Sequence, residues 1–406
     1  MDSDILIVGG GAAGLAAALS AAKTNPRLKV SVLEAQPRSG KKLLATGNGR
    51  CNLMNERAEK EDYAGDADFI APALSLYKRE YGLFWGELGL LLSTEDEGRV
   101  YPGVNQASAV LDALRLNLRE KGVSEITDFE AARIEKRRDG FTVYSEGRAL
   151  SCRRLILATG GKAGKGLGEN DSFTRLLSPF GHRVTRVYPA LTCLKTDRQY
   201  LSGLKGIRLR GEICLCRKDE VLKREKGEIL FQDDALSGIA SMQLSLVASP
   251  LISRGEKLHA LLSPLGERAE NIIKGRISAH PTRSAQELLT GAVNRLIALR
   301  ALKRAGISPV QRADSFTPSQ TEALIGELRS WRVPLTGTGG FSQAQVMLGG
   351  LDTRDFDGET MRSRRVQGLF AAGEMLDVTG PCGGYNLEWA WASGMLAGKS
   401  AAEELK

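Results

Sequence analysis

The sequence predicts an α/β fold built on a parallel sheet, and three observations predict it. The opening "DILIVGGGAAGLAAALSAAK" passes from a β-branched strand through glycines into helix formers, and "KVSVLEA" supplies the next strand, which together start a βαβ unit. Two further apolar runs ending in small residues, "LILATGG" and "GLFAAGEMLDVTG", lie far along the chain. Between them the pattern shifts to short strands with charged turns and then to helices. A chain of 406 residues, 42% of them hydrophobic, can bury a sizeable core, and its length suits two or three domains.

Taken in order, the first strand and helix are expected to cross over right-handedly, because a twisted strand and helix pack back on one sheet that way. Residues 64–92 have helical spacing with glycine breaks, and residues 107–122 form an amphipathic helix ended by Gly122. The segment from 125 to 161 alternates as strands, turns at "RRDG" and finishes in "LILATGG". It reads as a small antiparallel sheet before a return to the parallel one. From residue 188, "VYPALTCLKTD" and "GIRLRGEICLCRKDEVLKREKGEILFQDD" read as strands of a small barrel or sandwich. Residues 251–330 read as helical without a notable strand signal, "GGFSQAQVMLGGLD" as hairpin-like, and the close as strand, loop and helix. The expected organisation is a Rossmann-like domain from 1–187 and 346–406, a β-barrel-like insertion from 188–250 and 331–345, and a helical module over 251–330. No repeat or low-complexity linker interrupts it.

Composition narrows the setting. The longest uncharged stretch, residues 5–22, starts behind Asp2 and Asp4 and holds four glycines, which suits a soluble βα unit better than a signal peptide or membrane span. Cysteines at 51, 152, 193, 214, 216 and 382 include no C-x-x-C pair, as expected for a reducing cytoplasm. His182, His259 and His280 lie far apart and predict no metal site. The net charge of +8 permits anionic partners, but no run combines dense basic charge with interleaved aromatics, so a solvated basic surface is the simpler reading.

Chemistry is carried first by Gly9, Gly11 and Gly14, a G-x-G-x-x-G between strand and helix that encloses Ala12 and Ala13. The first glycine permits the tight turn, the second lets backbone approach a pyrophosphate, and the third lets the helix pack closely. Unpaired amides at the helix start attract the phosphates. Glu34, followed by Ala35, ends the second strand about 20 residues on, where it accepts hydrogen bonds from a ribose diol and disfavours a 2′-phosphate. Downstream, "ATGNGRCNLMN" surrounds two glycines with Arg50, Cys51 and three asparagines. By itself it suits a phosphate cradle, a reactive-thiol loop or the bed of a larger cofactor.

The strand ends resemble those of flavoproteins with the glutathione-reductase-like fold. Ala158, Thr159 and Gly160 match an A-T-G strand end near the dinucleotide, and Gly373 with Glu374 matches the strand end that holds the ribityl and pyrophosphate part of FAD, with Asp377 as a second candidate acid. "GKKLLATGNGRCNLMN" together with "GLFAAGEMLDVTGPCGGYNLEWAWASGMLAG" resembles the BaiN/RdsA (YhiN-type) family of FAD-dependent oxidoreductases, whose motifs are G-R-K-L-x-x-T-G-x-G-R-C-N and C-G-G-Y-N-L-Q-W-A-W-x-S-G. The resemblance spans both chain ends. It implies a flavin domain assembled from the two ends, with Lys42, Leu43, Thr46, Gly47, Asn48, Gly49 and Arg50 along the FAD and Ala131 among its contacts. It also implies that Gly384, Tyr385, Asn386 and Leu387 start a last helix whose amides point at the pyrimidine edge of the isoalloxazine. On that basis "ATGNGRCNLMN" becomes the second wall of an extended FAD site.

Two departures from the family pattern weaken any transfer of substrate preference. "ILFQDDALSGIA" keeps Ser237 and Gly238 but lacks the Thr-His pair, Gly and Pro of L-F-T-H-x-G-x-S-G-P, and "KAGKGLGEND" replaces a Ser/Pro/Thr-rich segment with G-D-G. "GGKAGKGLG" has no βαβ context of its own, so NADH or NADPH would visit only transiently as electron donor. The leading expectation is a reductase passing a hydride from flavin N5 to an activated double bond of a small molecule, between the flavin and the inserted module, with no residue assigned as catalytic. Two alternatives stand beside it. One is a flavin-containing nucleic-acid-binding protein using Arg268, Lys274, Arg276, Arg283, Arg295, Arg300, Lys303 and Arg304, and the other is a non-catalytic flavin scaffold. Trp389 and Trp391 read as core, Arg50 as a substrate-charge stabiliser or equally as a phosphate contact or structural ion pair, and Cys51 and Cys382 as packing residues more readily than redox groups.

Overall fold

The computed structural model describes residues 1–164 and 172–406, so most of "KAGKGLGEND" lies outside the described residues. Contacts divide the chain into two units, Met1–Tyr188 with Gln345–Lys406, and Pro189–Ala344.

In the first unit β1 (Ser3–Val8), α1 (Ala12–Thr24) and β2 (Val30–Leu33) form the opening βαβ. Ile5 pairs with Val30 and Leu6 with Ser31 in parallel register, and Ile5, Leu6 and Ile7 are wholly buried, as a central parallel strand demands. The short helix α2 (Lys41–Ala45) and the strand β3 (Met54–Asn55) precede α3 (Ala67–Glu87), whose Asp66 cap accepts the amides of Asp68 and Phe69. The strands β4 (Leu92–Thr94) and β5 (Arg99–Pro102) join β3 in a three-stranded sheet, and α4 (Ala107–Glu120) follows.

The main sheet continues through β6 (Ser124–Ile126), β7 (Arg133–Arg137), β8 (Gly140–Ser145) and β9 (Arg148–Leu157). Long β9 serves two sheets' worth of pairing. Its first half runs antiparallel to β8, and its second half lies parallel between β1 and Leu369–Ala371. The antiparallel strands are therefore an extension of the parallel sheet. The chain closes with helix Tyr385–Glu403, which lies against α1. Small residues allow that approach: a Cβ added at Gly394 or Gly398 would lie 2.3 or 2.1 Å from the carbonyl oxygens of Ala13 and Ala17.

In the second unit the strands order as Trp331–Pro334, His259–Ser263, Arg208–Arg217, Glu220–Phe231, Ala235–Ser237, Leu194–Lys195 and Gly337–Thr338, paired antiparallel. The two end strands are adjacent in sequence, and between them Leu335 N–H donates to Leu258 O and Thr336 N–H to Lys195 O. The sheet accordingly curls on itself. Helix Ile239–Ser253 packs on it, and Ala269–Ala279, Ala285–Leu289, Arg295–Arg304 and Pro318–Arg329 gather around Leu289, Leu302, Leu324 and Leu328.

Two local expectations are corrected. Within the stretch read as helical, "HALLS" is a strand, because His259 pairs with Cys216 on one side and with Pro334 on the other, and so short an apolar run has no period of its own. "GGFSQAQVMLGGLD" is not a hairpin. It holds one strand, Val346–Leu348, and its glycines serve turns and close backbone contacts instead. Among the described residues no helix is long and apolar enough to cross a membrane, and no His, Cys, Asp and Glu group is placed to hold a metal.

Candidate dinucleotide site

The G-x-G-x-x-G turn is built by backbone proximity. A Cβ at Gly9 (φ +112) would lie 2.2 Å from the Ala158 carbonyl oxygen and 3.1 Å from Thr159 Cα, so the turn rests on the end of β9. One at Gly14 would lie 1.8 Å from Gly9 O. At Gly11 and at Gly160, by contrast, a Cβ would meet nothing within 4 Å, which leaves space where a ligand's backbone contact is expected. The first helical hydrogen bond is Leu15 N–H to Gly11 O, and no side chain caps the helix, so the amides of Ala12, Ala13 and Gly14 have no acceptor within it. Glu34 takes Gly10 N–H on Oε2 and Gln36 N–H on Oε1, both at 2.8 Å. A carboxylate has about four acceptor sites, so two remain for a ribose diol. Ala35 is exposed beside it.

The loop after α2 is held in an unusual backbone state. Gly47, Asn48, Gly49 and Cys51 all have φ between +56 and +83. For Asn48 and Cys51 that costs on the order of 1 kcal/mol each and persists only where neighbours over-determine it. They do: Thr46 Oγ1 donates to Leu43 O at 2.6 Å, Cys51 N–H to Thr46 O at 3.0 Å, and Leu53 N–H to Val100 O at 2.8 Å. Asn48 and Gly49 stay exposed, and a Cβ on Gly49 meets nothing. Leu43 is buried, whereas Lys42 bridges to Glu374 at 2.6 Å, and Glu374 also accepts Met347 N–H at 3.1 Å.

Arg50 stacks over Tyr101 at 4.0 Å, donates to Asn105 Oδ1 at 2.6 and 3.1 Å, and pairs with Glu95. Three partners on one guanidinium describe a structural tie. Cys51 is 0% exposed, and burial pushes its thiol up to about 12, the opposite of what a reactive thiolate needs. Cys382 is half-buried, and none of the six cysteines is in a disulfide.

The C-terminal wall begins at Gly373, whose N–H donates to Ser393 Oγ at 2.9 Å and whose carbonyl accepts Trp389 Nε1–H at 3.2 Å. Gly384 (φ +107) precedes the last helix; a Cβ there would lie 2.4 Å from Met54 O. Asn386 shapes the loop by bonding both backbone groups of Gly380, at 2.9 and 2.8 Å. Tyr385 meets Tyr63 edge-on at 5.9 Å, and Tyr63 OH donates to Tyr385 O at 3.1 Å. The first helical bond is Glu388 N–H to Gly384 O, which leaves the amides of Tyr385, Asn386 and Leu387 without helical acceptors on a partly exposed turn. Trp389 and Trp391 are buried, and Trp391 Nε1–H donates to Leu53 O at 3.1 Å.

Glycine-ended turns, two uncapped helix starts, Lys42–Glu374 and the exposed loop all belong to the first unit, and they fit an extended dinucleotide. Two further expected contacts have protein partners of their own. Asp377 faces Thr185 and the Gly349 backbone, with burial raising its carboxyl, and Ala131 is buried with its carbonyl accepting Arg175 Nη2–H at 3.2 Å. Sequence reasoning passed over Asn55, Ser393 and Glu388. Asn55 Nδ2–H donates to Gly383 O at 3.0 Å and its N–H to Glu388 Oε2 at 3.0 Å, joining the two walls. The signal for Glu388 was an acid inside the apolar "YNLEWAWASG", where the resembled motif has Gln.

The profile of the HI0933-like protein Rossmann domain matches residues 3–400. The 3-dehydro-bile acid delta(4,6)-reductase of Clostridium scindens is 35% identical over 403 residues, covering 98% of both chains. The ribosomal RNA dihydrouridine synthase of Escherichia coli is 30% identical over 404 residues, covering 96% of both. Among solved structures, 3-ketosteroid delta1-dehydrogenase from Sterolibacterium denitrificans shares the fold over 99% of both chains, with a TM-score of 0.54 at 13% identity.

Proposed function

The chain belongs to the HI0933-like Rossmann-domain family, which takes in its BaiN/RdsA relatives, and is an FAD-dependent oxidoreductase; on that premise we propose that it reduces a carbon–carbon double bond conjugated to a carbonyl. When bound, FAD supplies the hydride through flavin N5. The amides of Ala12, Ala13 and Gly14 hold the pyrophosphate, Glu34 the ribose, and residues 46–50 wall the cofactor. The amides of Tyr385, Asn386 and Leu387 oppose negative charge gained at the pyrimidine edge on reduction. The observation that carries this reading is the pair of uncapped helix starts, after Gly11 and after Gly384, in one unit whose two helices are packed through Gly394 and Gly398. The names of both relatives describe saturation of a double bond beside a carbonyl, which supports the reducing direction.

NADH or NADPH serves as a transient donor in this reading. Anaerobic mixing of FAD-loaded protein with each, followed by conjugated enones, dienones and quinones, tests it. Flavin bleaching by one nucleotide and recovery on an enone are expected. A protein without flavin absorbance after FAD soaking, or a reduced flavin that no conjugated carbonyl reoxidises, overturns it.

A second substrate class, uracil within RNA, is favoured by the synthase relative and by the charge of +8. Half of the basic residues named for it are otherwise engaged. Lys274 pairs with Glu270 at 2.7 Å and Arg304 with Glu327 at 2.7 Å, Arg276 donates to Leu288 O and Thr290 O, and Arg300 lies over Trp331 at 4.7 Å. Binding to ribosomal RNA fragments that weakens steeply with salt would support RNA, and none at low salt would dismiss it.

A further inference from the structure

Glu388 is a buried acid for which the mechanism above has no use. It sits four residues after the cap Gly384, in the opening turn of the last helix, and is 0% exposed. Its Oε2 accepts Asn55 N–H at 3.0 Å, while Oε1 is buried with no hydrogen-bond partner. A carboxylate with one donor for two oxygens is poorly solvated, whereas a neutral acid needs less. Asn55 in turn holds Gly383 O, so this carboxyl touches the link between the two walls of the site.

We propose that Glu388 is a positioning residue for the flavin end of the site: while neutral it leaves the positive start of the last helix facing the cofactor, and when ionised it cancels that field. This rests on the reading that the amides of Tyr385, Asn386 and Leu387 face the isoalloxazine. A helix start presents about half a positive charge, so one full negative charge buried in its first turns reverses the local sign. The charged and titratable groups around it are Lys78 and Tyr77 on α3, Glu59, Asp62 and Tyr63 ahead of α3, Tyr385 on the same helix, and Arg57 and Arg99 on the side of Asn55, which pairs with Arg99. Lys78 is engaged at Nζ by Ala58 O and by Glu59 at 3.1 Å, and Arg99 pairs with Glu97. Burial raises the Glu388 carboxyl to about 7, so its charge changes in the neutral range.

The test compares wild type, Glu388→Gln and Lys78→Gln, by flavin midpoint potential against pH for FAD-loaded protein and by melting temperature against pH for protein without FAD. Potentials of wild type and E388Q are expected to coincide below pH ~6 and to part above pH ~8, where wild type falls lower by the equivalent of about tenfold in preference for reduced cofactor. Wild-type melting temperature is expected to fall, relative to E388Q, between pH ~4.5 and ~7, and K78Q to move both inflections to higher pH. Equal potentials at every pH in proteins that hold FAD overturn the inference and leave the functional reading intact. Failure to bind FAD overturns the functional reading, while the melting arm still reports whether Glu388 changes charge. Parallel melting curves overturn the charge change itself.

Discussion

Gly394→Ala tests how the two chain ends make one site. The added Cβ would stand 2.3 Å from Ala13 O and 3.0 Å from Ala13 Cα, and both are backbone, so no rotamer can relieve the contact. A carbon–oxygen contact needs roughly 3.3 Å, so α1 and the last helix must part by about 1 Å. Overpacking of that kind costs about 2 kcal/mol, which for a unit of this size lowers the melting temperature by roughly 4–8 °C. The displacement also carries Ala13 away from Gly373, where a Cβ would already be 2.8 Å from Ala13 Cβ, and so moves the α1 amides relative to the other wall. FAD affinity, followed by flavin fluorescence quenching, is expected to fall about tenfold or more, since misplacement by about 1 Å is costly wherever a site depends on alignment. Gly86→Ala is the control: it lies within α3, a Cβ there meets nothing within 4 Å, and it is expected to stabilise by about 0.5–1 kcal/mol. If G394A melts and binds FAD like wild type, the close packing of these helices does not organise the site.

Asp355 is buried and takes Arg183 N–H at 2.8 Å, Arg183 Nη2–H at 2.6 Å and Arg365 at 2.9 Å, so Asp355→Asn is expected to cost about 3 kcal/mol at pH 7 in chemical denaturation. Those arginines hold its carboxyl well below the usual range, so the stability it contributes is present above pH ~4 and is lost as pH falls through its folded value; an unchanged acid limb in the variant refutes this. The Glu388 carboxyl has the opposite sign: raised to about 7, it makes wild type lose roughly 3 kcal/mol relative to E388Q as pH rises from ~4.5 to ~7. Cys51→Ser is expected to leave the flavin reduction rate unchanged, and maleimide is expected to label Cys382 before Cys51 in native protein; rapid Cys51 labelling would contradict its burial. Glu34→Ala removes the acceptor of Gly10 N–H and Gln36 N–H and is expected to weaken FAD binding about tenfold or more by isothermal titration.

Much of the first unit was legible from short-range pattern. The turn at residues 9–14, Glu34 at its strand end and the two-residue hairpin loop between β7 and β8 follow from glycine conformations and from periods of two and 3.6 residues, which act over a few neighbours. The proposal that the loop at 45–55 walls a cofactor starts from resemblance and not from local pattern. Its left-handed Asn48 and Cys51 depend on bonds to Thr46, Leu43 and Val100 that no local pattern announces. "HALLS" became a strand because two partners more than 40 residues away in sequence offered it a ladder on each side.

By itself the sequence determined the class of fold, the dinucleotide turn and the family, because each is written in contiguous residues whose geometry is local. Tertiary structure alone decided that Arg50 is tied by Glu95, Asn105 and Tyr101, that Cys51 is wholly buried, and that Glu388 keeps an unpartnered oxygen. It also decided that α1 and the last helix touch, with Ser20 Oγ donating to Met395 O across 375 residues. These are matters of desolvation and close approach, and both depend on which distant residues surround a group and not on the residues beside it in the chain.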